Sequence, residues 1–199
     1  MLVTDVETTG IDPEKYSIVS LGSVSYEDPQ DTFYEECRIR DGAEVSDRAL
    51  AINGFTREEI TDPKKPEPGE VLNDFIRWAG SAEDRTISGE NPSFDTGFLQ
   101  KTAERNDIDW PFGYRTVDLH SLTYAHQISR RLKPPTKDRK SALSLNKTLE
   151  YVGIPEDVRS EEHDALEDAK LEAEAIARLI EGKNLVEEYE AYSVPLYLK

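Results

Sequence analysis

The sequence predicts an α/β domain in which a mixed five-stranded sheet is flanked by helices. Three strand-like segments come first in the chain, and helical and strand-like segments alternate after them. A three-strand meander followed by such an alternation is typical of a layered domain with added parallel strands. The 199 residues suffice for one buried core, and no linker rich in Pro, Gly or Ser divides them. We therefore expect a single domain over residues 1–199.

The meander is predicted from residues 2–6, 17–26 and 32–39. Turn sequences that each contain an Asp-Pro pair separate these three segments. Cys37 lies in the alternating third segment, so we expect it at a half-buried strand position. Because it is the only cysteine, an internal disulfide is excluded.

Helices and strands alternate from residue 70 onward. Hydrophobic spacing predicts, in order, a helix at 70–79, a strand at 86–89, a helix at 94–105, a strand at 115–119 that continues as a helix to about 128, and a helix at 143–152. The strongest helix begins at about residue 165, and its apolar stripe consists of Leu166, Ala169, Ala173, Ile176, Ala177 and Ile180.

The surface is predicted to be strongly acidic, because the chain carries a net charge of −17 and 33% of its residues are charged. Such a surface repels a polyanion and counts against tight binding of duplex DNA, although divalent cations can reverse the field locally. If the ligand is a polyanion, this charge favours a short or single-stranded one over a duplex. Since no apolar run could span a bilayer and no secretory pattern opens the chain, we expect a cytoplasmic protein without membrane contact.

A pair of acids ends the first predicted strand. Asp5 and Glu7 are two residues apart, so their side chains project from the same face of that strand. Converging carboxylates are ligands that Mg²⁺ prefers, and Thr8, Thr9 and Gly10 add hydroxyls and backbone N–H groups beside them. A solvated strand end is the alternative interpretation of the pair alone.

A third acid, Asp95, lies in the first turn of the predicted helix at 94–105. It follows Asn91-Pro92-Ser93-Phe94 and a short strand. A negative side chain is favoured at a helix start, so helix capping alone would also explain it.

His163 and Asp168 flank the start of the longest predicted helix. Asp164 and Glu167 have the spacing of a capping box, which makes Asp164 the N-cap and leaves His163 outside the helix. Two helical residues at these positions would stand about 140° apart, so only a loop position allows both to face one site. A loop imidazole has an ordinary pKa near 6.5, which suits a general base. Asp168 lies off the apolar stripe, at a position that periodicity assigns to solvent or to the edge of a cleft.

Together these segments resemble the three motifs of the DEDDh family of 3′–5′ exonucleases. The motifs are Asp5-Val6-Glu7-Thr8-Thr9-Gly10, Asn91-Pro92-Ser93-Phe94-Asp95 and His163-Asp164-Ala165-Leu166-Glu167-Asp168-Ala169. The resemblance implies a ribonuclease H-like fold, two Mg²⁺ or Mn²⁺ ions, and release of nucleoside monophosphates from a single-stranded DNA or RNA 3′ end. It also implies that Asp5, Glu7 and Asp168 ligate metal, that Asp95 assists directly or through water, and that His163 deprotonates the attacking water.

Residues 49–56 resemble the family's substrate-proximal segment. With the first two motifs, this segment makes Thr8, Thr9, Asn53, Asn91 and Phe94 the candidate substrate-binding residues. One position departs from the family pattern: Glu90 stands where many members have His, which puts any substrate contact made through that position in doubt.

A basic loop is predicted at residues 130–140, where six of the 24 basic residues accompany a single acid. Lys137, Arg139 and Lys140 are candidates for a flap that contacts substrate phosphates, and a solvated loop is the alternative.

The apolar tail at 184–199 is expected either to dock on its own domain or to form a homodimer contact. A polymerase or repair protein is a further candidate partner. The functional alternative to an enzyme is a catalytically silent nucleic-acid-binding or polymerase-binding module of the same fold.

Overall fold

The computed structural model describes residues 1–199, and a mixed sheet of five strands forms its centre. The strands are β1 (Leu2–Thr8), β2 (Ile18–Ser25), β3 (Thr32–Glu36), β4 (Ile87–Gly89) and β5 (Val117–Asp118). They lie in the order β3-β2-β1-β4-β5. The first three strands pair antiparallel, and β4 and β5 add parallel strands beside β1. The predicted meander with added parallel strands is confirmed.

Six helices flank the sheet: α1 (Asp47–Asn53), α2 (Pro68–Ala79), α3 (Ser93–Arg105), α4 (Leu119–Ser129), α5 (Leu145–Tyr151) and α6 (Ala165–Glu181). Sequence periodicity does not predict α1, because seven residues make only two turns, too few for a helical stripe to be recognised. No helix has both the length and the apolar character needed to cross a membrane.

The predicted basic loop at 130–140 is wrong in part, since its second half is a small hairpin of β6 (Thr136–Lys137) and β7 (Lys140–Ser141). Asp138 and Arg139 form its turn with φ values of 50° and 62°. Two successive residues with positive φ are the backbone of a tight hairpin turn. A hydrogen bond of 2.8 Å between His120 Nε2 and Ser141 Oγ ties the hairpin to α4.

Apolar residues form a core on each face of the sheet. On one face, α4, α5 and α6 pack over Val3 and Val24. On the other face, α2 and α3 pack over Leu2, Val6 and Leu21. Cys37 belongs to this second core and is fully buried just beyond the end of β3, so the expected half-buried strand position is wrong.

Alternation along β1 decides which face carries the acids. Asp5 and Glu7 share the parity of Val3, so they project toward the α6 face. Gly22 on β2 is paired with Asp5 in the sheet, and a Cβ at this position would lie 2.3 Å from the backbone of Ala165. Only glycine therefore allows the start of α6 to lie directly on the sheet beside the two acids.

The tail at 184–199 packs on its own domain. Val186, Tyr189, Val194 and Leu198 are buried in the core beside α6. Intramolecular docking thus accounts for the apolar character of the tail, and the homodimer stays a prediction.

Candidate active site

A cavity of 680 Å³ opens at the carboxyl end of β1. Side chains from β1, the loop after it, α1, the start of α3, the segment before α6, and α6 itself line the cavity. The three sequence motifs, which are far apart in the chain, therefore meet around one space.

Asp5 and Glu7 both line this cavity, as their spacing predicts. The pairing of β1 with β2 is irregular between Glu7 and Thr8. Such bulges bend a strand and redirect its side chains, and here the bulge directly follows the acidic pair. The amide of Asn53, on α1, donates a hydrogen bond of 3.1 Å to the carbonyl of Thr8 and fixes the end of the strand.

Asp95 lies behind these two acids. It is 3% exposed, and its Oδ1 accepts a hydrogen bond of 3.0 Å from the backbone N–H of Val6. That hydrogen bond connects the first turn of α3 to β1 between Asp5 and Glu7. Asp95 therefore does not act as a cap for its own helix, and it is oriented toward the acidic pair.

Asp168 and His163 reach the cavity from the start of α6. The Asp164 carboxylate accepts hydrogen bonds from the N–H groups of Leu166 and Glu167, which confirms it as the N-cap and leaves His163 outside the helix. Carboxylate oxygens of Glu7 and Asp168 and a ring nitrogen of His163 lie within 4.8 Å of one another. Asp168 is only 3% exposed, so of the two sequence interpretations the cleft position is correct and the solvent position is wrong.

Arg159 is a site residue that the sequence analysis missed. Its Nε donates to Asp168 Oδ1 at 2.7 Å, and its NH2 donates to Asp168 Oδ2. Its NH1 donates to Asn146 Oδ1 at 2.8 Å, and NH2 also lies 3.2 Å from His163 Nδ1. A guanidinium group only donates, so this ring nitrogen is an acceptor and the imidazole proton is on Nε2.

Two additional acids, Glu172 and Glu90, extend the cluster. Glu172 lies one turn after Asp168 on α6, is 2% exposed, and has an Oε2 without a hydrogen-bond partner. A buried Oε2 of Glu90 also lacks a partner. A Cβ at Gly89 would lie 2.8 Å from Glu172 Oε2, so the absence of a side chain at Gly89 leaves space for the carboxylate of Glu172. The acidic departure at position 90 thus has a matching acid on the neighbouring helix.

Burial and mutual repulsion raise the pKa values of these acids. Burial, with the charge of Asp168, raises the pKa of Glu7 from its ordinary 4.5 to about 8. Burial raises the pKa values of Asp95 and Glu90 to about 7. Burial and the charge of Asp95 raise the pKa values of Asp5 and Glu172 well above their usual range. Burial and the Arg159 charge lower the pKa of His163, which keeps the imidazole neutral near pH 7.

The charges of the site fit hard divalent cations. Asp95 and the five acids that line the cavity make six carboxylates, against the two guanidinium groups of Arg48 and Arg159. When all six are ionised, four negative charges are in excess, which is the charge of two divalent cations. Carboxylate oxygens are the preferred ligands of Mg²⁺, and the partnerless oxygen of Glu172 provides an acceptor with no protein donor.

The predicted substrate-binding residues fall into two groups. Thr8, Asn53 and Phe94 line the cavity. Thr9 does not, because its hydroxyl donates to the carbonyl of Glu44 and accepts from the N–H of Ser17. Asn91 is exposed outside the cavity, where its backbone N–H donates to Asp118.

The basic residues Lys137, Arg139 and Lys140 are exposed on the hairpin and do not line the cavity. These three residues could therefore contact only a nucleic-acid substrate that extends beyond the cavity wall.

The chain matches a protein-family model described as an exonuclease, RNase T, over residues 2–176. It is 28% identical over 181 residues to the PolC-type DNA polymerase III of Thermotoga petrophila, a match that covers 90% of this chain and 12% of the polymerase. The chain therefore spans about an eighth of that relative. It is also 28% identical over 189 residues to the 3′–5′ DNA exonuclease Cap18 of Escherichia coli, covering 91% of this chain and 93% of Cap18.

Among solved structures, the chain is similar to the nuclease domain of 3′hExo, a DEDDh family member bound to rAMP. The TM-score is 0.68 at 18% identity, and 94% of each chain is covered. At this identity the likeness concerns the fold, and it confirms the ribonuclease H-like fold expected from the three motifs.

Proposed function

The chain belongs to the RNase T exonuclease family, and from this we propose that it is a metal-dependent 3′–5′ exonuclease that releases nucleoside monophosphates from single-stranded DNA or RNA. The observation that carries the proposal is the convergence of Glu7, Asp168 and His163 within 4.8 Å, with Asp5 on the same cavity wall. With Asp95, which is hydrogen-bonded to the backbone of Val6 behind them, four carboxylates from three distant segments meet beside a neutral histidine, and the fold has no structural need for this.

Asp5, Glu7, Asp95 and Asp168 are the residues that would hold two Mg²⁺ or Mn²⁺ ions. When bound, such ions supply positive charge to the attacking and leaving oxygens of a phosphodiester. The carboxylates orient and concentrate that charge, and their burial excludes competing water.

His163 is proposed as the general base. It lies on a loop segment whose backbone is fixed by a hydrogen bond of 2.9 Å from His163 N to Ile52 O. Its side chain is about one third exposed, so a water molecule can reach the ring. A neutral imidazole accepts a proton from the attacking water, and the lowered pKa of His163 keeps this form available at neutral pH.

Apolar side chains on the cavity wall are proposed to hold the terminal base. Ile11 is 85% exposed and Ile52 is 40% exposed, although both are large hydrophobic residues, and both line the cavity with Phe94. Bases stack on aromatic and apolar surfaces with little sequence preference. The scarcity of cationic residues favours a single strand whose end enters the cavity over a duplex held along its backbone. Association with a polymerase stays a prediction.

A strand-shortening assay tests this proposal. The protein is incubated with 5′-labelled single-stranded DNA and RNA in Mg²⁺, in Mn²⁺ or in EDTA. We expect a ladder of labelled products shortened from the 3′ end in either metal and no products in EDTA. Immediate release of labelled mononucleotide would indicate the opposite polarity. Without metal-dependent shortening of either strand, the catalytically silent binding module becomes the better interpretation.

Asp5→Asn is the matched variant for the assay. We expect it to lower the rate by roughly 10²–10³-fold or more, because it removes charge aimed at the reacting phosphate. Asp109→Asn, at an exposed position far from the cavity in sequence and not lining it, is the control and should keep the wild-type rate.

A further inference from the structure

Arg159 is bound to the very carboxylate that the proposed function assigns to a divalent cation. Both oxygens of Asp168 accept hydrogen bonds from one guanidinium group, in a bidentate pair. The two side chains are 13% and 4% exposed, so the pair is shielded from water and from salt. Asn146 accepts from the third nitrogen of the guanidinium at 2.8 Å and orients it.

The pair with Arg159 compensates the buried charge of Asp168. Without it, Asp168 would be a buried charge close to Glu7, Asp5 and Glu172, and an unpaired buried carboxylate is strongly unfavourable. The guanidinium supplies the single positive charge that contacts the acids directly.

The same contact opposes a divalent cation. A cation at Asp168 needs an oxygen lone pair that faces the cavity, and it is repelled by a guanidinium charge held on that carboxylate. Arg159 belongs to the segment between the short turn Glu156–Val158 and His163, and most residues of this segment are exposed. The segment therefore has room to move the guanidinium away without disturbing either core.

We propose that Arg159 is the built-in counter-ion of the metal-free site, a positioning residue that occupies Asp168 and is displaced from it by the catalytic divalent cation. This inference rests on the proposed function. Displacement has a second consequence, because Arg159 NH2 also donates to His163 Nδ1. When the guanidinium leaves, His163 Nδ1 loses this hydrogen-bond donor, so cation binding at Asp168 and the release of the imidazole from Arg159 are coupled.

Mn²⁺ binding measures the competition without requiring activity. The signal of free Mn²⁺ in electron paramagnetic resonance gives the dissociation constant for the metal-free protein at pH 7.5. We expect Arg159→Gln to bind Mn²⁺ at least about fivefold more tightly than wild type, because the variant removes a repelling charge. A purely structural arginine would not give this result, since its loss would loosen the site and weaken binding. Equal or weaker binding by Arg159→Gln overturns the proposal.

Two further variants keep the test decisive. Arg159→Lys retains the charge but cannot span both oxygens, so its affinity should fall between those of wild type and Arg159→Gln. It replaces Arg159→Gln if that variant does not fold, and an affinity no higher than wild type then overturns the proposal. Lys147→Gln removes an exposed charge close in sequence to Asn146 and should change the dissociation constant by less than about twofold.

Failure of this inference differs from failure of the proposed function. If the wild-type protein shortens DNA or RNA in the presence of metal but Arg159→Gln binds Mn²⁺ no more tightly than wild type, only the counter-ion role of Arg159 is excluded. If wild type shortens no strand, the proposed function is lost, whatever Arg159→Gln binds.

Discussion

Helix α6 carries two buried clusters of acids with arginine, and their chemistry differs. Near its middle, Glu174 and Arg178 are fully buried and pair at 2.7 Å. Arg178 also donates to the carbonyls of Val152, Tyr189 and Tyr192, and Glu174 Oε2 accepts from two backbone N–H groups of the tail. Charge and hydrogen bonding are both satisfied there.

At its start, the same helix contributes Asp168 and Glu172 to a site with four more carboxylates and only two arginines. Glu172 Oε2 and Glu90 Oε2 have no partner there. The difference suggests how to separate a structural buried charge from one that belongs to a binding site. The balanced cluster holds the tail in place, and the unbalanced cluster is the proposed cation site.

His163→Ala tests the unbalanced cluster, and its expected effect is the largest. We expect kcat to fall by roughly 10²–10⁴-fold, because the proposed general base is lost. The Mn²⁺ dissociation constant should stay close to the wild-type value, since carboxylates hold the ions. Steady-state kinetics and Mn²⁺ titration measure the two quantities. An equal loss of metal affinity would make His163 a ligand and not the base.

Arg178→Met tests the balanced cluster. We expect the free energy of unfolding to fall by about 3–5 kcal/mol, because Glu174 is left buried without its partner. Denaturant unfolding measures the loss, and Mn²⁺ binding by the folded fraction should persist. Adding Glu174→Gln to the variant should recover part of the loss. If Arg178→Met were as stable as wild type, the pair of Glu174 and Arg178 would have no structural role.

The start of α6 shows which features of the site could be predicted from the sequence. The spacing of Asp5 and Glu7 and the cap at Asp164 are local features, so they predict the acidic face and the position of His163 directly. The burial of Asp168 is not local, because it depends on Gly22 admitting the helix onto the sheet. Periodicity alone assigns Asp168 to solvent, although the edge of a cleft fits the sequence equally well.

Arg159, Glu172 and the hairpin at 136–141 escaped prediction for related reasons. Arg159 lies in a charged segment without periodicity, and its partner is nine residues away. Glu172 shares a strongly charged helix with exposed acids, and its burial follows from the packing of α6 on the sheet, which periodicity does not reveal. The hairpin at 136–141 has strands of two residues, too short for an alternating pattern.

The acids of the unbalanced cluster should also make the Tm depend on pH, and this effect is expected to be smaller. The raised pKa values mean that the folded state binds these protons more tightly than the unfolded chain. The contribution to stability is complete below about pH 4 and is lost as pH rises through about 7 for Asp95 and Glu90 and about 8 for Glu7. We therefore expect the Tm of the metal-free protein to fall between pH 5 and 8.5.

Glu172→Gln should reduce this fall, because it removes one of the buried acids with a raised pKa. Glu83→Gln, at an exposed position, is the control and should follow wild type. Scanning calorimetry at several pH values measures the Tm. A Tm of wild type that rises over this range would show that the acids are not destabilised by burial.

The smallest effect is expected at the hairpin, outside both clusters. Replacing Lys137, Arg139 and Lys140 with alanine should raise KM and reduce the salt dependence of log KM by about 0.7 per lost phosphate contact. KM measured on single strands from low to moderate salt gives the slope. An unchanged slope would exclude the hairpin as a phosphate flap, and the cavity would then carry substrate binding alone.

The most direct test of the cation site is the number of Mn²⁺ ions bound by the metal-free protein at pH 7.5. We expect two ions per chain for wild type and for Asp109→Asn, and at least about tenfold weaker binding for Asp168→Asn. A wild-type protein that binds no Mn²⁺, or an Asp168→Asn variant that binds it equally well, would contradict a divalent-cation site at the start of α6.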